Sequence, residues 1–223
     1  MCKKIVREQH AKDTSKWSRL WNPVDIYCAF VSEEGMENVE TISLDLSRSK
    51  EKWFTTKIFA QMKKVFAKMK KLRLLKVYYS LGDGIKLSLP SNFHGEKLVA
   101  INLKSSNIKE LLKGEKCFAE LKFIDLSNSQ QLIKIPKFSR MPKLEKLNLE
   151  GCTLWLSHSG IKELPTSIEC LEALESLVLE GCSNFEKLPE IQKNMENLWN
   201  LNLDDTPIKE LSCLIGHLPD FNS

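Results

Sequence analysis

The stretch Leu144-Glu145-Lys146-Leu147-Asn148-Leu149-Glu150-Gly151-Cys152-Thr153-Leu154 decides how this 223-residue chain folds. Leu147 and Leu149 lie two apart, the spacing that sends both side chains to one face of a short strand and Lys146, Asn148 and Glu150 to the other. So short a strand cannot bury its own leucines. Burial requires a similar stretch alongside.

Such stretches recur. The template L-x-x-L-x-L-x-x-N/C-x-L opens at Leu72, Leu98, Leu121, Leu144, Leu174 and Leu198, at intervals of 26, 23, 23, 30 and 24 residues, with a weaker match at Val39. Literal copies reinforce it: Ile-Lys-Glu-Leu at 108–111, 161–164 and 208–211, and Leu-Glu-Gly-Cys at 149–152 and 179–182. The template's Asn position holds Ser80, Ser106, Ser129, Cys152, Cys182 and Thr206, all small enough for a tight turn whose backbone groups need partners. Pro90, Pro136, Pro165 and Pro189 follow Leu or Ile on the return segments, where a fixed dihedral and a missing donor suit an irregular side. These features predict an α/β fold, a leucine-rich-repeat solenoid over 72–223, with a curved parallel sheet and an irregular or helical convex side.

A short helical segment precedes the repeats. Residues 1–9 read as the tail of a helix and 10–22 as a polar loop. Asn22-Pro23 then caps a helix over Val24–Phe30. Residues 32–71 read as an entry strand and a capping helix, the latter over roughly 56–71 with Phe59, Met62, Phe66 and Met69 on one face. Its basic side suits a calmodulin-like partner or an anionic membrane, but covering the first end of the repeat core is the simpler role.

Bulk properties restrict the function classes. The net charge of +4 is too small to argue for nucleic acid, although residues 1–95 hold 18 Lys+Arg against 10 Asp+Glu and residues 96–223 hold 15 against 19. No apolar run approaches the ~18 residues of a membrane span, and no secretory signal or glycosylation sequon is present. Seven cysteines without a C-x-x-C pair fit neither a disulfide framework nor a zinc site, which favours a reducing compartment. His10, His94, His158 and His217 show no ligand spacing, and Leu81-Gly82-Asp83-Gly84 lacks the Lys-Ser/Thr of a phosphate loop. No catalytic residue, metal ligand, cofactor or small-molecule substrate is expected.

The strand positions between core leucines face the concave side, where such solenoids present binding surfaces. In order they are Lys76, Tyr78 and Tyr79; Asn102 and Lys104; Phe123, Asp125 and Asn128; Lys146, Asn148 and Glu150; Val178 and Glu180; and Asn200, Asn202, Asp204 and Asp205. The face runs from basic and aromatic to acidic, a polarity able to orient a protein partner.

Met1-Cys2-Lys3-Lys4-Ile5-Val6-Arg7-Glu8, Trp17-Ser18-Arg19-Leu20-Trp21 and Asp25-Ile26 closely resemble the stretch that ends the nucleotide-binding region of plant TIR-type NB-LRR resistance proteins. There the pattern is M-G-x-x-I-V-x-x-E, R-S-R-L-W and D-I. Ile42-Ser43-Leu44-Asp45-Leu46-Ser47, Phe66-Ala67-Lys68-Met69 with Leu72-Arg73-Leu74-Leu75, and Phe123-Ile124-Asp125-Leu126-Ser127 extend the likeness over essentially the whole chain. The resemblance implies that residues 1–31 are the end of a winged-helix subdomain. Cys2 and Trp17 depart from the pattern, the Phe-Ala-x-Met unit is doubled at 59–62 and 66–69, and Ser212 stands where proline is usual. The interval around Trp155–Gly160 looks like two repeats spliced together.

Because the chain starts after the family's phosphate loop and stops inside a repeat, the resemblance implies a truncated product without TIR domain or nucleotide switch. The expected function is a non-catalytic protein-interaction module of an intracellular immune receptor, in the cytoplasm with the nucleus left open. Its partner would be a pathogen effector, a guarded host protein or a receptor nucleotide-binding region. Alternatives are a pseudogene-like fragment without binding function, or a ubiquitin-ligase-type repeat adaptor.

Overall fold

A computed structural model of the chain describes residues 17–45, 64–78, 89, 93–111, 117–152 and 161–208. Eight strands form one parallel sheet in sequence order. They are β1 (Arg19–Leu20), β2 (Thr41–Asp45), β3 (Leu74–Tyr78), β4 (Ala100–Asn102), β5 (Phe123–Asp125), β6 (Lys146–Asn148), β7 (Ser176–Val178) and β8 (Asn200–Asn202). Every repeat opening delivers a strand two residues later, and the weaker one at Val39 delivers β2. The register is uniform: Ile42, Leu75, Ile101, Ile124, Leu147, Leu177 and Leu201 pair neighbour to neighbour. All but Leu201 are fully buried. A second buried row, Leu44, Val77, Leu103, Leu126, Leu149 and Leu179, runs beside the first, so neighbouring coils bury one another's leucines. Truncating such a leucine to alanine costs about 2–5 kcal/mol.

Hydrogen bonding between coils continues past the strands. The amides of Leu103, Leu126, Leu149 and Leu179 donate to the carbonyls of Asp125, Asn148, Val178 and Asn202 at 2.8–2.9 Å. Two residues further on, Ser105, Asn128, Gly151 and Gly181 donate to Ser127, Glu150, Glu180 and Asp204 at 2.6–2.8 Å. These four and Asp205 all have positive φ, between 54° and 67°, because the chain must swing left there to leave the sheet. The small residue that follows carries more than its size. Ser129 Oγ donates to the Leu103 carbonyl at 3.1 Å, Cys152 Sγ to that of Leu126 at 3.1 Å, and Cys182 Sγ to that of Leu149 at 3.0 Å. Each satisfies a buried acceptor of the preceding coil.

On the return side, short 3-10 turns at Phe138–Arg140 and Thr166–Cys170 pack together, the Phe138 amide donating to Ser167 Oγ at 3.0 Å. Ile-Lys-Glu-Leu has a specific job there: Glu110 bridges Lys134 and Glu163 bridges Lys187, as a minimal second parallel ladder. The third copy lies, beyond Ile208, outside the described residues, as does Ser212. β6 pairs directly with β7, so the 30-residue interval contributes one strand to the sheet. Trp155–Gly160 lies outside the described residues.

The leading segment departs from expectation in two places. Arg19–Leu20, read as loop, is the first strand, paired with Thr41–Ile42 and anchored by buried Leu20. Its Ser18 carbonyl accepts the amides of both Glu40 and Thr41, the arrangement that every later strand repeats at its entry. The helix expected to reach residue 71 ends earlier, in a 3-10 turn at Phe66–Lys68, because Met69 and Leu72 must both drop into the core. Its residues 56–63 are outside the described part. The cap at Asn22 forms as read: Asn22 Oδ1 accepts from Val24 and Asp25 at 2.9 and 3.3 Å, opening helix α1 (Pro23–Ser32).

Three residues before each repeat opening stands a buried apolar side chain, Met69, Phe118, Met141, Leu171 or Met195, except at Gly95. The Phe118 ring from the next coil occupies the space a Cβ on Gly95 would need. Gly95→Ala therefore lowers stability by about 1–3 kcal/mol, as overpacking does. A thermal melt of Gly95→Ala should show the loss, and Phe118→Leu in the same background should recover part of it.

Candidate functional site

The pleat places two rows of side chains on the outer, concave face of the sheet. In register, the first row is Thr41, Leu74, Ala100, Phe123, Lys146, Ser176 and Asn200, and the second is Ser43, Lys76, Asn102, Asp125, Asn148, Val178 and Asn202. Beyond the strand ends stand Lys104, Glu150, Glu180 and Asp204 in successive coils, while Ser127 at the same position is buried. Asn128 and Asp205 occupy the left-handed turn position rather than the pleat. Tyr79 lies outside the described residues. The other residues read from the sequence thus share one continuous face and its turn edge.

Several of them are engaged internally. Asp125 Oδ1 accepts the Ser127 amide at 3.0 Å, Asn148 Oδ1 that of Glu150 at 2.9 Å and Asn202 Oδ1 that of Asp204 at 2.9 Å. Asn102 Oδ1 makes a longer bond of this kind to Lys104, at 3.4 Å. These short polar side chains cap the strand ends, an Asx turn in each of these four coils. Spare donors tie coils together: Asn102 Nδ2 to Asp125 Oδ2 at 2.8 Å, Asn200 Nδ2 to Ser176 Oγ at 2.9 Å and Asn202 Nδ2 to Glu180 Oε2 at 3.1 Å. Val178, at the same register, has no such acceptor. The exposed groups that project from this face and its edge are Lys104, Phe123 at 38% exposure, Lys146, Asp204 and Asp205. Lys76 Nζ lies 4.8 Å from the Tyr78 ring centroid, a cation–π contact on β3.

The template's unspecified positions conceal two further groups. Leu74 and Ala100 join Phe123 as an apolar segment of the first row, unread because Leu74 precedes the core Leu75. Along the rim where strands begin, charged residues alternate between coils. Lys143 bonds Glu120 at 2.7 Å and holds its carboxyl below the ordinary range, while the hydrogen bond and charge of Glu145 raise Lys122. Among the described residues no group of His, Cys, Asp and Glu could hold a metal, and no helix is long and apolar enough to cross a membrane.

Disease resistance protein RPV1 of Vitis rotundifolia is 40% identical to this chain over 193 residues, covering 66% of the chain and 13% of that protein. RPP2A and LAZ5 of Arabidopsis thaliana, also disease resistance proteins, are 30% and 33% identical, each over 97% of the chain. This chain is a homologue of plant TIR-NB-LRR disease resistance proteins. It spans 13% to 22% of the length of these relatives. No family model matches. Among solved structures, InlP of Listeria monocytogenes superposes with a TM-score of 0.55 at 18% identity, over 87% of the chain and 51% of that structure. An internalin of the same organism, inlF, gives 0.51 at 15% identity, over 85% and 56%. Both likenesses are of fold.

The buried thiols give this repeat architecture a chemical signature. Burial pushes Cys182 up to about 11 from 9.0, and burial together with Cys182 pushes Cys152 higher still. In the unfolded chain both ionise near pH 9, so the folded state holds more protons between pH 9 and about 11. Stability is therefore fully present below pH 9 and falls as pH rises through that window. Cys182→Ser, which keeps a donor to the Leu149 carbonyl, should reduce this alkaline loss in melts recorded across the window. At neutral pH a thiol reagent should modify exposed Cys28 and Cys117 well before Cys152 and Cys182.

Proposed function

We propose that the chain is a non-catalytic protein-interaction module of a plant intracellular immune receptor, acting in the cytoplasm and, where its receptor goes, the nucleus. It binds through the concave face. The partner is a pathogen effector, a guarded host protein or the nucleotide-binding region of a related receptor. The observation that carries the reading is the pair of outward rows on a sheet whose every strand is clamped by its neighbours. Side chains projecting from so rigid a platform lose little freedom on binding, which favours affinity. The charge order along the turn edge, from Lys104 through Glu150 and Glu180 to Asp204 and Asp205, supports a partner of opposite polarity.

The test is titration of the purified chain with the nucleotide-binding region of a homologue and with defined effectors, read by co-elution and calorimetry. Joint replacement Asp204→Lys and Asp205→Lys should weaken any partner that binds by about tenfold, whereas Lys187→Glu on the return side should leave it unchanged. Equal binding by both variants, or no binding by the parent chain to any of them, contradicts the reading.

A further inference from the structure

Beside the concave face, where β2, β3 and β4 begin, Glu40, Lys71, Arg73, Lys97, Val99 and Glu120 line an open cavity of about 340 Å³. Its charges are unequally committed. Glu120 is paired with Lys143, which lies outside the lining, and Lys71 Nζ donates to Asn38 Oδ1 at 3.0 Å. The Arg73 guanidinium and the Lys97 ammonium, both exposed, have no ion-pair partner among the described residues. Two cations at the mouth of one cavity are therefore available to an incoming anion.

The adjoining surface is apolar. Arg73 runs directly into Leu74 and Val99 into Ala100, and Leu74, Ala100 and Phe123 stand side by side in register on the outward face. Nowhere else in the two outward rows do three apolar residues adjoin. A cationic notch bordering an apolar strip with a projecting aromatic ring has the layout of a small interface, apolar at its centre and charged at its edge.

We propose that this composite patch binds an acidic polypeptide segment in which a carboxylate side chain neighbours apolar ones. The carboxylate enters between Arg73 and Lys97, and the apolar side chains lie over Leu74, Ala100 and Phe123. With Glu120 committed to Lys143, the lining sets Lys71, Arg73 and Lys97 against the one remaining carboxylate of Glu40, a net positive space that draws in an anion. A phosphate dianion would meet Glu40 across the same space. The planar guanidinium of Arg73 also matches a carboxylate in a two-pronged hydrogen bond. The inference rests on the concave face being the interaction surface, and adds to it the chemistry of the partner.

The experiment is fluorescence anisotropy of the full chain with a labelled peptide of glutamates interspersed with leucines. The comparison probes are the same peptide with glutamine for every glutamate and a glutamate-only peptide. The mixed peptide should bind, more weakly as salt rises, and about tenfold more tightly than either comparison peptide. Arg73→Gln with Lys97→Gln should lose that margin and its salt dependence, Phe123→Ala should lose it at unchanged salt dependence, and Lys187→Gln should bind like the parent. All replaced residues are exposed, and a thermal melt checks that each variant folds. Displacement of the peptide by equimolar inorganic phosphate overturns the proposal, because it would make the notch a phosphate site. So does unchanged binding by the Arg73 and Lys97 double variant. If binding is instead lost in Asp204→Asn with Asp205→Asn, the concave face binds and the rim patch does not, which separates this proposal's failure from that of the wider reading.

Discussion

A single coil of this chain has nothing against which to bury Leu147 and Leu149 except the coils on either side. Leu147 meets Ile124 and Leu177 in register, and Leu149 follows Leu126 and precedes Leu179. Stability is consequently a property of neighbours rather than of any one repeat. The backbone obeys the same constraint, since the amides that leave each strand find acceptors in the next coil. Mutual burial fixes the strand register, and the register in turn sets which residues face outward.

That dependence explains which positions the sequence is free to vary. Where the chain turns off the sheet, Ser105, Asn128, Gly151, Gly181 and Asp205 share one left-handed conformation although only two are glycine. Asn and Asp tolerate it through local hydrogen bonding. Gly151 is further constrained, since a Cβ there would come 2.7 Å from Asn128 Oδ1. At the following position Ser129, Cys152 and Cys182 are interchangeable because each is small and each can donate to a carbonyl one coil back. The first outward row carries no such restriction, and there the residues differ from coil to coil.

The repeat period, the strand positions, the Asn22 cap and the small-residue slot were all legible in the sequence, because each follows from spacing and residue size. What escaped depends on contacts between coils. β1 has only Leu20 in the core, too little pattern to mark a strand. Gly95 carries no signal until the Phe118 ring of the next coil is seen to fill its space. Asp125, Asn148 and Asn202 read as exposed polar residues, yet each holds an amide two residues on. The rim cavity joins Glu40, Arg73 and Glu120, residues from three separate coils at positions the template leaves unspecified.

Amide hydrogen exchange tests most directly whether neighbouring coils hold one another in place. The amides of Leu126 and Leu149, each bonded to the next coil and flanked on both sides, should exchange only through an opening that also releases Leu103 and Leu179. Leu147→Ala should then accelerate all four together. Exchange of Leu126 or Leu149 at the rate of an unstructured peptide, or acceleration confined to the mutated coil, would contradict a core built from mutual burial.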